Sequence, residues 1–142
     1  MATLTYKVNA TVTVGGKEHR IDFSQTKTVT QLIDTVIKAD TTDRTIFNVD
    51  SAETGATLAD FTFGYIENLD ATNFITVGVK QTGSADVYYQ KVLAGDCFMI
   101  HSKDFSAAAG GEASGVGSPV KTITVLANSA PCLVRAMFGD DA

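Results

Sequence analysis

Between Phe61 and Phe105, short apolar runs are broken at near-regular intervals by turn chemistry, and this punctuation most limits the folds open to the chain. Phe61, Phe63 and Tyr65 alternate with Thr62, Gly64 and Ile66 before Asn68-Leu69-Asp70-Ala71-Thr72-Asn73 turns the chain. Phe74, Thr76 and Gly78 then face one way and Ile75, Val77 and Val79 the other, up to a second turn at Gln81-Thr82-Gly83-Ser84. Val87 to Leu93 is the third run, Ala94-Gly95-Asp96 the third turn, and Cys97 to His101 the fourth run. Runs this short are strands rather than helices, and their β-branched and aromatic content suits a pleated, half-buried surface. The spacing predicts an antiparallel meander within a sandwich or barrel.

The flanking segments extend the pattern. Leu4, Tyr6, Val8, Ala10, Val12 and Val14 share one face of a strand, with Thr3, Thr5, Lys7, Asn9, Thr11 and Thr13 on the other. Such alternation predicts one buried and one wet face, so Leu4, Tyr6, Val8 and Val12 are expected inside and Thr5, Lys7 and Thr11 outside. Gly15-Gly16 can take the positive φ angles of a two-residue hairpin turn. A return strand over Lys17–Gln25 would then point His19, Ile21 and Phe23 inward.

Residues 28–39 fit two readings. Val29, Leu32, Ile33, Val36 and Ile37 match a helical stripe, whereas the Val, Ile and Thr content favours a strand. A bent or bulged strand is expected in an all-β chain, with a short helix as the alternative. Asp40 to Asp43 reads as a turn, Arg44 to Asp50 as a strand and Ala52 to Ala56 as a loop. Lys121–Ala127 and Cys132–Phe138 form a closing pair across Asn128-Ser129-Ala130-Pro131, with Cys132, Val134, Ala136 and Phe138 on one face. The whole is read as one domain over residues 1–142, an all-β, antiparallel two-sheet sandwich of eight to ten short strands with jelly-roll connectivity.

Thr is the commonest residue, and at 142 residues the chain can bury a sizeable core. A formal charge of −5 with scattered cations argues against a nucleic-acid partner. No apolar run is long enough to span a bilayer and no secretory core is visible near Met1, so no membrane partner is expected. Cys97 and Cys132 both fall in strand patterns and are read as buried free thiols in a reducing compartment.

Candidate chemistry is thin. His19, His101, Cys97 and Cys132 lack the short ligand spacing of a zinc site. Asn68, Asp70 and Asn73 offer oxygen atoms, but Asx residues at turns usually bond their own backbone. The pairs Asp40/Asp43 and Asp140/Asp141 lie in a turn and a tail. There is no GxSxG elbow, and neither Gly-rich run continues into a phosphate loop. Neither an enzyme nor a cofactor is expected. What stands out is the Ala/Gly/Ser-rich stretch 102–119, read as a long loop that contacts a partner through Phe105, Ala107, Ala108, Gly110, Gly111, Val116 and Pro119. Small residues permit close backbone approach, and Phe105 is its one large apolar side chain.

The segments GYIENLDATNFITVGV, YYQKVLAGDCFMIHS and VKTITVLANSAPCLVRAMFGD resemble small virion proteins of tailed bacteriophages. The matching patterns are the NLD-x-TN turn at Asn68–Asn73, the L-x-AGD-x-F corner at Leu93–Phe98, and the closing pair from Ile123 to Val134. The resemblance implies a virion structural protein, made in the host cytoplasm, that acts as capsid cement or decoration. Its implied partners are the major capsid protein and further copies of itself, with a trimer favoured. The alternatives are a tail or head–tail connector component, or a carbohydrate-binding sandwich, which would present a row of exposed aromatic rings.

Overall fold

The alternating runs do become strands, and no helix occurs among the described residues. The computed structural model describes residues 2–49, 56–102, 104–105 and 118–140. In chain order the strands are β1 (Ala2–Val14), β2 (Lys17–Val29), β3 (Gln31–Ala39), β4 (Arg44–Asn48), β5 (Ala56–Thr57) and β6 (Phe63–Asn68). They continue with β7 (Ile75–Gln81), β8 (Val87–Val92), β9 (Cys97–Ile100), β10 (Asp104–Phe105), β11 (Ser118–Ala127) and β12 (Cys132–Asp140). Two of the twelve, β5 and β10, are only two residues long.

One layer has the order β3-β12-β6-β9 and the other β4-β11-β7-β8, with β5 parallel to β4 at one edge and β10 beside the start of β11. Along the chain, with the two-residue β5 and β10 set aside, β3 to β12 alternate between the layers except at the β7–β8 hairpin. This is the eight-stranded jelly-roll connectivity expected from the sequence. Between the layers lie Phe47, Phe61 and Phe138, with ring centroids 5.2 Å (Phe47–Phe61) and 5.0 Å (Phe47–Phe138) apart. Ile66, Ile75, Val77, Ile123, Val125 and Val134 complete that core, all fully buried. The closing strand behaves as read: Cys132, Val134, Ala136 and Phe138 are inside and Leu133 is exposed.

Residues 28–39 are strand, broken at Thr30 between β2 and β3. Ala39 is buried, Ile33 and Ile37 pack against the core, and Leu32 and Val36 face out. The helical stripe therefore divides between the two faces of a sheet. Phe61 and Phe63 were expected on one face of a strand, but β6 starts only at Phe63. Phe61 turns into the core against Phe47, while Phe63 lies beneath the Tyr6 ring, 5.5 Å between centroids.

The largest correction concerns the N-terminal hairpin. β1 and β2 pair over thirteen residues each but join neither layer. Gly15 and Gly16 take φ angles of +58° and +78° at its tip, as a two-residue turn of this hand requires. Of the four residues expected inside, Tyr6 is buried and Leu4 half-buried, while Val8 and Val12 are exposed. Val14, His19, Ile21 and Phe23 are exposed as well. Alternation reports two chemically different faces; burial needs a second layer, and a two-stranded ribbon has none.

Candidate assembly site

The Ala/Gly/Ser-rich stretch is not a simple loop at its ends. Phe105 stands opposite Ser118, and Asp104 opposite Pro119, in a short antiparallel ladder. Pro119 is exposed, and its carbonyl accepts from the Thr82 amide at 2.9 Å. Proline at the start of a strand sacrifices no ladder donor there. Phe105 and Pro119 thus come together on neighbouring strands. Ala107, Ala108, Gly110, Gly111 and Val116 lie outside the described residues.

The three motifs that carry the resemblance meet at one end of the sandwich, around Asn68. Its buried side-chain amide donates to the carbonyls of Asn73 (2.8 Å), Leu93 (3.1 Å) and Val92 (3.3 Å), and its Oδ1 accepts from the Asp70 amide at 3.1 Å. Its backbone N–H donates to Asp96 and its carbonyl accepts from Gly95, while the Leu69 amide reaches Leu133. Ser129, in the β11–β12 turn, donates its hydroxyl to Asn73 Oδ1 at 2.8 Å. Asp70 Oδ1 accepts from the Thr72 and Asn73 amides at 2.8 and 2.6 Å, so the carboxyl is held below its usual range, chiefly by the Asn73 N–H. These oxygens are occupied by the turn itself, which is the Asx role expected of them.

The metal-type side chains are dispersed. His19 is on the ribbon, whereas His101 stacks on Tyr6 with centroids 6.2 Å apart. Cys132 is buried, as expected, with its thiol pushed up by burial and directed at the Ala130 carbonyl. Cys97 is exposed, contrary to expectation, because it stands on the outward side of β9, opposite Glu67. Among the described residues no group of three or more His, Cys, Asp and Glu side chains could hold a metal ion. Asp40 pairs with Lys38 at 3.7 Å, and Asp140 is buried at the root of the ribbon.

Two uncovered surfaces with grouped apolar side chains stand out among the described residues, and sequence reasoning missed both. The first is the ribbon face: Val8 is 39% exposed, Phe23 42%, Val12 56%, Val14 62% and Ile21 63%. At its base this face does find cover, since Tyr6 and Phe23 lie within 6.3 Å of the His101 ring and Lys27 Nζ donates to the carbonyls of Thr62 (3.0 Å) and His101. Beyond that seam it continues bare. The second surface is the outer face of the β3-β12-β6-β9 sheet, where Leu32, Val36 and Leu133 are each half exposed or more. Arg135 crosses this face to bind Asp34 through two bonds of 2.9 and 3.1 Å. Beside them Tyr65 is pushed up to about 12, first by burial and then by the Glu67 carboxylate. The available signal for the ribbon was length. Thirteen-residue strands are more than twice the usual five or so of a sandwich, and the excess has no neighbour to pack on.

No family model, no curated protein and no solved structure matches the chain.

Proposed function

We propose that the chain is a structural protein of a tailed-bacteriophage virion, a capsid cement or decoration protein that bridges neighbouring subunits. The observation that carries this reading is the projecting ribbon. A two-stranded hairpin with one apolar face gains little by itself in water, and it gains most when another surface covers that face. A jelly roll supplies the rigid body that holds such an arm, although jelly rolls also serve unrelated functions. The resemblance supplies the virion: its three motifs converge on one hydrogen-bonded corner around Asn68, so they belong to one structural unit. The partners on this reading are the major capsid protein and other copies of the chain, arranged as a trimer at a three-fold or quasi-three-fold position. The work is mechanical: contacts made across subunit boundaries add buried area to the shell. The paired strands β10 and β11, which carry Phe105 and Pro119, are a second contact element.

Mass spectrometry of purified particles whose genome encodes the chain, combined with labelling of the chain on those particles, tests the reading. Regularly spaced copies over the capsid are expected. Copies confined to the neck or tail would replace cement with a connector or tail role, and absence from particles would end the virion reading.

A further inference from the structure

We propose that the ribbon of one copy lies across the outer face of the β3-β12-β6-β9 sheet of a neighbouring copy, so that the chain joins to itself head to tail. This contact is between copies of the chain and stands independently of the virion reading.

Both halves of the joint are present in a single molecule. The ribbon offers Val12, Val14 and Ile21 on one face, uncovered beyond the Tyr6–His101 seam. The sheet offers Leu32, Val36 and Leu133 around the Asp34–Arg135 pair, with the half-buried Met137 and Tyr65 alongside on β12 and β6. A twisted apolar ribbon laid on a twisted sheet face is ordinary sheet-on-sheet packing, with side chains from each filling about 10 Å of separation.

Charge selects this partner over a ribbon-to-ribbon contact. Residues 1–30 hold Lys7, Lys17, Arg20 and Lys27 against Glu18 and Asp22, a net +2. With −5 for the chain, residues 31–142 carry −7. Two ribbons face to face would bring like charge together, Lys17 sharing the apolar face with Val14. A ribbon on a neighbour's body instead brings chain segments of opposite net charge together. On the receiving face the charges are already engaged, Arg135 by Asp34, Lys38 by Asp40, and Glu67 beside Tyr65 and opposite Arg135, so that face sets no like charge against Lys17. The contact is heterologous, and successive copies therefore close a ring or extend a filament.

The test uses the full chain under reducing conditions, which keeps the exposed Cys97 from linking copies. Val12→Asp/Ile21→Asp disables the ribbon. Val36→Asp/Leu133→Asp disables the sheet face, and there each new carboxylate stands opposite a cation, Arg135 or Lys38, on the neighbouring strand. Mass by light scattering should show the wild type associating and each variant weakened at least about tenfold, with circular dichroism unchanged. Mixing the two variants should restore a pair and no larger species, because each keeps the half that the other lacks. A sheet variant that still associates, or a mixture that stays monomeric, overturns the head-to-tail joint. A wild type that is monomeric at high concentration overturns self-association while leaving particle binding to be judged by the virion experiment.

Discussion

Thr30 is tied to Asp140 twice: its amide donates to the Asp140 carbonyl at 2.8 Å and its hydroxyl to the buried Asp140 carboxyl. The two bonds sit at the single break between ribbon and sandwich. Beside them Val29 packs so closely on Gly139 that a Cβ there would stand 3.1 Å from Val29 Cγ1. The joint is therefore a fixed root for the arm. Thr30→Val keeps the shape and removes one bond to a buried carboxyl, which should cost about 1–2 kcal/mol in urea unfolding. An unchanged midpoint would mean that the root is held by packing alone.

The Asn68 corner should be the more expensive site to disturb. Asn68→Leu fills a similar volume but leaves the Asn73 and Leu93 carbonyls and the Asp70 amide short of a partner. Loss of about 2–4 kcal/mol is expected from denaturant titration, the cost of stranding several buried polar groups at once. A loss below about 1 kcal/mol would show that water replaces the amide without penalty.

Asp70 gives that corner a pH signature. Its carboxyl is held low in the folded chain by N–H donors, so its contribution is complete above the ordinary carboxylate value of about 3.9 and disappears as pH falls through the lower folded value. Asp70→Asn should melt below the wild type at neutral pH, and the gap should close as pH drops below about 4. A gap that persists in acid would assign the effect to shape rather than charge.

The thiols should separate cleanly. A thiol reagent should modify exposed Cys97 in the native chain and reach Cys132 only on unfolding. Cys132→Ala should cost about 1 kcal/mol or somewhat more through lost packing, and Cys97→Ala much less. Equal reactivity would contradict the register that turns Cys97 outward.

How far these features were legible in the sequence depends on what each pattern physically reports. The run Cys132–Phe138 was read correctly in position and face because a period of two identifies the inner side once a partner layer exists. The same period at Leu4–Val14 gave the right strand and the wrong burial, since alternation itself does not tell whether a layer lies beneath; only the length of the run hinted that none does. Residues 28–39 read as strand because β-branched side chains outweighed a helical spacing whose members divide between two sheet faces. Phe105 and Pro119 were singled out for composition, yet their pairing across β10 and β11 depends on long-range register that no local pattern encodes. Leu133 was placed outward, but its grouping with Leu32 and Val36 arises only when β3 and β12 pair. The candidate joint between copies was therefore visible only in pieces.

Hydrogen–deuterium exchange across a concentration series tests most directly whether the ribbon is bare in one copy and covered in the assembly. In dilute solution the β1 and β2 amides should exchange far faster than those of β6, β7 and β12, because a ribbon without a second layer opens locally at little cost. At concentrations where mass measurement shows association, the ribbon amides should slow and those of the sandwich core should stay as they were. Ribbon amides already as protected as the core in the dilute chain would mean that its apolar face is covered within a single molecule, and would contradict the account.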